Sequence, residues 1–91
     1  MFPSVLDKAE VLYYTHKDDY GVIRFPDCEK ADLYRYLAIC KYANDNNYYL
    51  FCCNENFEVV SDTAWDSAEQ CMQIAASYKT DIEWIKLKDE Y

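Results

Sequence analysis

The stretch YYLFCCNENFEVV, residues 48–60, decides the predicted fold because it contains two extended segments joined by a polar turn. Residues 48–53 are aromatic, aliphatic or cysteine, which is the composition of a buried strand. Asn54, Glu55 and Asn56 favour a tight turn, and residues 57–60 return as a second strand. The stretch therefore predicts a β-hairpin near the middle of the chain.

The two adjacent cysteines in this stretch raise the question of a metal or redox site. Successive side chains of a strand point to opposite faces, so Cys52 should point with Leu50 and Cys53 with Phe51. Such a pair does not converge on one metal, and a structural zinc site would need Cys-x2-Cys pairs. The other cysteines occur singly, at Cys28, Cys40 and Cys71. We interpret the pair as core residues of a strand covered on both faces or at an interface, and expect no metal or cofactor.

Two segments near the N-terminus, EVLYYTH (10–16) and YGVIRF (20–25), are rich in β-branched and aromatic residues. The polar sequence KDD lies between them, and this arrangement predicts a first β-hairpin. A helix from Ser4 to Tyr14 is the main alternative, since Pro3-Ser4 followed by Asp7 is compatible with a helix start.

Residues 28–43 are predicted to form a helix. Leu33, Leu37 and Cys40 recur at helical spacing, and Asp27 can cap the first turn. After the central hairpin, Ser61, Asp62 and Thr63 are candidate caps of a second helix that ends at about Ser77. Its apolar face would be formed by Trp65, Ala68, Met72 and Ala75.

Residues 81–87 (DIEWIKL) are predicted to form the last strand. The resulting order is β-β-α-β-β-α-β over a single domain, residues 1–91. This order favours an α+β two-layer sandwich with a mostly antiparallel sheet of four to five strands and two helices.

The composition and the N-terminal sequence indicate where in the cell the protein is expected. Hydrophobic residues make up 52% of the 91 residues, so disorder is not expected. No apolar run is long enough to span a bilayer, and the N-terminus lacks the pattern of a secretory signal. We therefore expect a cytoplasmic protein with reduced cysteines and no membrane contact. The oligomeric state is left open.

The net charge of −8 is unevenly distributed. Residues 42–78 contain six acidic residues and no lysine or arginine, whereas the rest of the chain has 11 acids against 9 bases. Direct binding to nucleic acid is disfavoured, because it needs cations against phosphates. A basic protein partner would be attracted instead, with simple solubility as the alternative explanation.

Residues 49–63, YLFCCNENFEVVSDT, followed by Ser67 and Ala75, resemble a pattern found in small bacterial proteins. In that pattern a strand runs through a C-x-E-N-aromatic turn into a second strand, and an Asp-Thr helix start and an alanine-rich helix follow. Some of these proteins resemble immunity-type proteins, the inhibitors that protect bacteria from their own toxins. Trp65 fills the region in which the pattern usually has a histidine or aromatic residue, whereas Ile74 stands where the pattern usually has a glutamine.

The resemblance and the charge together predict a binding protein, not an enzyme. It would occlude the basic active-site surface of a cognate bacterial toxin, possibly a nuclease, with acids and tyrosine rings as contacts. We expect seven partner-binding residues in three places: Asp18, Asp19 and Tyr20 in the first turn, Glu55 and Glu58 around the second, and Asp62 and Asp66 at the second helix start.

Other interpretations remain open at this point. Asp62 and Asp66 are also explained by favourable interaction with a helix dipole. A phage-type nucleic-acid mimic that inhibits a restriction or CRISPR effector would use the same charge logic. A small enzyme using His16 or a cysteine is the third alternative, although His16 has no accompanying nucleophile signature and no catalytic residue is predicted.

Overall fold

The computed structural model of the chain describes residues 2–24 and 31–87. This part of the chain contains eight strands and one helix. The strands are β1 (Val5–Leu6), β2 (Ala9–Tyr14), β3 (Val22–Arg24), β4 (Ala31–Leu33), β5 (Tyr36–Lys41), β6 (Tyr48–Cys53), β7 (Val59–Trp65) and β8 (Ile85–Lys86). The helix α1 spans Ala68–Ala75.

One antiparallel sheet dominates the molecule. Its strands lie in the order β1-β2-β5-β6-β7, and β8 pairs with the C-terminal half of β2 on the same side as β1. A separate two-stranded sheet is formed by β3 and β4. The predicted α+β class and antiparallel sheet are confirmed, whereas the prediction of two helices is wrong, because the described residues contain only α1.

The central hairpin is confirmed. β6 covers residues 48–53 as predicted, and Leu50 pairs with Thr63 on β7. The Asn54 carbonyl accepts a hydrogen bond from the Phe57 amide at 3.1 Å, which closes the turn. The register shifts between Cys52 and Cys53, so Val60 forms a bulge near the start of β7.

The predicted N-terminal hairpin is wrong, although both of its segments contain strands. β2 pairs with β5, and β3 pairs with β4. Between them, the Thr15 amide donates to the Leu37 carbonyl at 3.0 Å and the Tyr20 amide donates to the Tyr34 carbonyl at 2.9 Å. The KDD sequence is therefore an irregular interruption between collinear strands and not a turn.

The alternative helix over residues 4–14 is also wrong. β1 and β2 form a tight hairpin in which Leu6 pairs with Ala9. Asp7 and Lys8 have φ angles of 51° and 69°, the left-handed conformation that a two-residue type I′ hairpin turn requires at both positions.

The helix predicted over residues 28–43 is not formed by the described residues of that range. Residues 31–33 and 36–41 lie in β4 and β5, and the beginning of the prediction, residues 28–30, lies outside the described residues. β5 is buried on both faces, with Leu37, Ala38, Ile39 and Cys40 fully buried. A strand covered on both sides carries no alternating pattern, so its apolar spacing resembled that of a helix.

The C-terminal helix is shorter than predicted. It begins after Ser67, whose hydroxyl accepts a hydrogen bond from the Gln70 amide at 3.0 Å. Asp62 and Thr63, which were predicted as caps, lie instead in β7. The pairing of β7 with β6 extends to Trp65. Because Asp62 lies in this strand, its position is not explained by the helix dipole.

The sheet has a hydrophobic core on each face. Cys52 and Leu50 belong to the core under α1, together with Cys71 and Ala75 of the helix. Phe51 and Cys53 belong to the core on the other face, as the alternation predicted. This second core also contains Phe2 and Leu6 from the N-terminus, with Phe57 and Val59 packed against it. Because residues at both ends of the strand order meet there, the sheet must curl around this core.

The last predicted strand is confirmed in part, since only Ile85–Lys86 pairs with β2. Among residues 2–24 and 31–87, no helix is both long and apolar enough to cross a membrane.

Candidate partner-binding surface

Two groups of carboxylates form on the molecule, and five of the seven predicted residues belong to one or the other. We name the first the turn region, which consists of Asp18, Asp19, Asp32, Glu55 and Glu58 with the cations Lys17, Arg35 and Lys79. We name the second the Tyr–Asp cluster, which consists of Tyr42, Tyr49, Asp7, Asp45 and Asp62.

Two of the five carboxylates of the turn region, those of Glu55 and Asp18, contact a cation. Lys17 contacts Glu55 with an N–O distance of 2.7 Å, and Lys79 contacts Asp18 at 3.6 Å. The pKa of Glu55 is lowered, chiefly by the hydrogen bond from Lys17. The pKa of Asp18 is also lowered, first by the hydrogen bond from the Asp19 amide and to a smaller extent by Lys79. The charge that the sequence placed on this surface is therefore partly neutralised.

Asn54 holds the turn region together. This side chain is only 7% exposed, and its Oδ1 atom accepts hydrogen bonds from the amides of Asn56 and Glu58 at 2.9 and 3.0 Å. Its amide nitrogen donates to Glu58 at 2.8 Å and to Asp32 at 3.1 Å. Glu58 thus has a structural role in the turn as well as an exposed carboxylate.

Tyr20 does not offer its ring to a partner. It is 4% exposed and packs in the core under α1. Its hydroxyl donates to the His16 carbonyl at 2.9 Å, and burial raises its pKa. We therefore exclude Tyr20 from the proposed surface, although the neighbouring Asp18 and Asp19 are exposed.

The Tyr–Asp cluster is built from three separate parts of the chain. The Tyr42 hydroxyl donates to the Asp7 carbonyl at 3.0 Å, across the β1–β2 turn. The Tyr49 hydroxyl donates to the Asp45 carboxylate at 2.6 Å. The two rings pack edge to face with their centroids 5.2 Å apart. These contacts place two half-buried aromatic rings among acidic side chains, at the edge of the second core.

The electrostatics of the tyrosines show that Asp62 belongs to this cluster. The Tyr42 pKa is raised first by desolvation and then by the negative charges of Asp7 and Asp62. The Tyr49 pKa is raised first by its hydrogen bond to Asp45, with a smaller contribution from Asp62. Lys41 is the cation in contact here, donating to the Asp45 carbonyl at 2.7 Å.

Asp62 itself is exposed on β7 and forms no ion pair with any residue in the described ranges. It lies directly opposite Phe51 and so points to the same face of the sheet. A surface cleft of about 140 Å³ separates it from the β1–β2 turn and is lined by Asp7, Val59, Val60, Ser61 and Asp62.

Asp66 joins neither group. It is exposed between β7 and α1, and its backbone amide donates to the Gln70 side chain at 2.8 Å. Its carboxylate precedes the cap Ser67, a position where a negative charge suits the helix dipole.

The four cysteines among the described residues are buried. Burial raises the pKa of Cys52 to about 11 and that of Cys53 to about 12. Cys71 has a pKa of about 11 for the same reason, and the Cys40 pKa is raised further. Because the thiolate is the reactive form, these four thiols are poor nucleophiles at neutral pH.

His16 is exposed and lies 3.6 Å from the Glu83 carboxylate. In the described part of the chain, no three side chains of His, Cys, Asp or Glu are grouped as a metal site.

No family model matches the chain, and neither the curated proteins nor the solved structures contain a significant match.

The sequence reasoning identified Asp62 but missed Asp7, Asp45, Tyr42 and Tyr49 as its neighbours. Asp7, residues 42–49 and Asp62 are separate in the sequence and are brought together by the pairing of β2 with β5, β5 with β6 and β6 with β7. The Asp7-Lys8 pair between two apolar segments was the available local signal for the β1–β2 turn.

Proposed function

We propose that this chain is an immunity-type inhibitor that binds a basic bacterial toxin domain and occludes its active-site surface. The Tyr–Asp cluster carries the proposal, because it combines half-buried aromatic rings with the exposed Asp62 carboxylate, which has no cation partner within residues 2–24 and 31–87. Interfaces favour tyrosine as an anchor, and complementary charge supplies steering and specificity.

The charge distribution also supports a basic partner. Residues 42–78 contribute six acids and no base, and β6, β7 and α1 all lie within this range. A toxin that acts on nucleic acid needs a cationic substrate surface, which an acidic protein of this kind would attract. The resemblance of residues 49–75 to immunity-type proteins is the second support.

The proposal is tested with the protein encoded beside this chain's gene, since immunity genes usually adjoin toxin genes. Expression of that protein alone should arrest bacterial growth, and co-expression with this chain should restore it. The purified pair should form a complex whose association rate falls as salt is added, because ions screen the steering. If the neighbour is harmless and the bound protein is a restriction or CRISPR effector, the inhibitor is of the phage type instead.

Three charge reversals locate the surface. Asp62→Lys should weaken the complex by about tenfold or more, because like charges then face each other across the interface. Glu55→Lys should weaken it less, since Lys17 already neutralises that carboxylate. Glu83→Lys makes the same charge change at an exposed acid that belongs to neither group, so it is the matched control and should leave affinity unchanged. A larger loss for Glu55→Lys would assign binding to the turn region.

A further inference from the structure

We infer that the free edge of β7 accepts an extended basic segment of the partner as an added β-strand, with a lysine or arginine of that segment between Asp62 and Asp7. This inference rests on the proposed function and specifies how the partner is held. The bound segment would gain backbone hydrogen bonds from β7 and specificity from the acidic cleft beside it.

The two edges of the sheet differ in a way that favours β7. On one side the outer strands β1 and β8 contain two residues each. On the other side β7 has seven residues and pairs only with β6 within the described residues. An edge strand presents unpaired N–H and C=O groups, and a long one is a template for another strand.

β7 lacks most of the features that block such pairing. It contains no lysine or proline, which commonly protect natural edge strands. Its bulge lies at Val60, so the segment from Ser61 to Trp65 continues in regular register with β6. Three consecutive residues, Asp62, Thr63 and Ala64, are exposed, and their small side chains leave the backbone accessible.

The chemistry of the edge selects a basic segment. A residue paired with Asp62 on an added strand would lie about 5 Å from it and on the same face. Asp7 and Asp62 line the same 140 Å³ cleft, so a long cationic side chain that enters it would lie near both acidic residues. An arginine or lysine is the side chain that this position favours.

A second copy of the chain fits this edge less well. Pairing β7 with β7 would bring together two segments, residues 42–78, that each carry six acids and no base. Such self-repulsion favours the monomer. The occupant is therefore a segment of opposite charge and not another molecule of the same protein.

The probe is an acetylated peptide of alternating lysine and threonine, about as long as β7, with a glutamate–threonine peptide as the matched control. Two-dimensional NMR of the labelled protein should show saturable binding of the lysine peptide, with shifts centred on residues 61–65 and slowed exchange of their outward amides. The Asp62→Lys variant should bind about tenfold more weakly, and the glutamate peptide should not bind. Shifts centred on α1 or the turn region, or no saturable binding, would overturn the inference.

Two adjacent proline variants test the backbone directly. Neighbouring residues of an edge strand direct their N–H groups to opposite sides, so only one of Thr63→Pro and Ala64→Pro removes an outward donor. The variant that keeps the native circular dichroism should lose peptide binding. Retained binding by a folded proline variant contradicts the inference, and if neither variant folds, the NMR mapping decides.

Amide-exchange measurements on the complex with the natural partner distinguish this inference from the proposed function. Complex formation with protected amides at residues 61–65 supports both. Complex formation without that protection overturns strand addition alone, because the acidic surface would then bind through side chains only. Slowed exchange of the β7 amides that disappears on dilution of the free protein would assign the edge to a second copy and overturn the basic-segment inference.

Discussion

The turn region and the Tyr–Asp cluster are both acidic, but their carboxylates have different partners. In the turn region, Lys17 and Lys79 contact Glu55 and Asp18, and Asn54 fixes the backbone. In the Tyr–Asp cluster, Tyr49 holds Asp45 and no cation contacts Asp62 among the described residues. The turn region contains five acids and the Tyr–Asp cluster three, yet it is in the turn region that two carboxylates are neutralised by ion pairs. The number of acids therefore does not by itself determine the field at the surface.

The difference follows from what each carboxylate does for the fold. Exposed ion pairs contribute little to stability, yet they reduce the charge that a partner encounters. A carboxylate paired with a tyrosine hydroxyl keeps its negative charge, and it also presents an aromatic ring beside that charge. We therefore expect the turn region to matter mainly for stability, through the hydrogen bonds of Asn54 and not through its ion pairs, and the Tyr–Asp cluster mainly for binding.

The largest effect on stability is expected from Asn54→Ala in the turn region. The substitution removes the acceptor of two backbone amides and the donor to Asp32 and Glu58 from a nearly buried position. We expect a loss of about 1–3 kcal/mol in the free energy of unfolding, measured by urea denaturation. Asn56→Ala, at the exposed neighbour in the same turn, is the control and should change it by less than about 0.5 kcal/mol.

If both variants are equally stable, the hydrogen bonds of Asn54 contribute no net stability and the prediction for the turn region is wrong. The Asp45 pKa should be unchanged in Asn54→Ala. The two regions would then be energetically independent, as expected for sites that share no partner.

The sequence was sufficient for the parts of the fold with strong local signals. Residues 48–53 have the composition of a strand, and Asn54-Glu55-Asn56 has the composition of a turn. Both predictions are confirmed, as is the placement of Cys52 and Cys53 on opposite faces. The alternation of a strand is a geometric property, so it holds whatever the strand pairs with.

The errors arose where tertiary pairing determines the local structure. Ser61, Asp62 and Thr63 are good helix caps, yet their pairing with β6 keeps them extended. The true helix start carries its own signal, Ser67 followed by Gln70 three residues later, which is a form of capping box. β5 carries no comparable local signal against the helix that the spacing of its apolar residues predicted.

The candidate site could be predicted only in part for a similar reason. Asp62 stands in the segment without cations, and the sequence shows this directly. Glu55 pairs with Lys17 and Asp18 pairs with Lys79, and the two members of each pair are far apart in the sequence. Neutralisation of the turn region therefore became visible only when the loop after β2 was placed against the central turn.

A smaller effect is expected from Tyr49→Phe, which keeps the ring and removes the hydrogen bond to Asp45. That bond is the main cause of the lowered Asp45 pKa, so the pKa should rise towards its ordinary value. A lowered folded-state pKa stabilises the protein above the ordinary pKa of aspartate, and this contribution is lost as pH falls through the folded value. The variant should therefore show a weaker loss of stability on acidification.

The Asp45 carboxyl can be followed by NMR titration in both proteins. Tyr14→Phe is the control, because the Tyr14 ring stacks on Phe2 and belongs to the same core. An unchanged Asp45 pKa in Tyr49→Phe would mean that the hydroxyl does not hold the carboxylate. The Tyr–Asp cluster would then differ from the turn region only in that, among the described residues, none of its carboxylates forms an ion pair with a cation.

The smallest effect on stability should come from Lys17→Met, because exposed ion pairs contribute little. The Glu55 pKa should rise towards its ordinary value, since the hydrogen bond from Lys17 is its first cause of lowering. High salt should reduce the difference between the variant and the native protein. Lys86→Met, an exposed cation on β8 that forms no salt bridge within residues 2–24 and 31–87, serves as the control in the same NMR titration.

The same variant separates the two regions in binding, because it adds net negative charge to the turn region while leaving the Tyr–Asp cluster intact. If the basic partner docks on the cluster and on the β7 edge, its dissociation rate should be unchanged. Only the association rate should rise slightly, since long-range steering depends on total charge. A markedly slower dissociation of Lys17→Met from the partner would instead show that the exposed Glu55 contacts it, and the binding surface would then have to be assigned to the turn region.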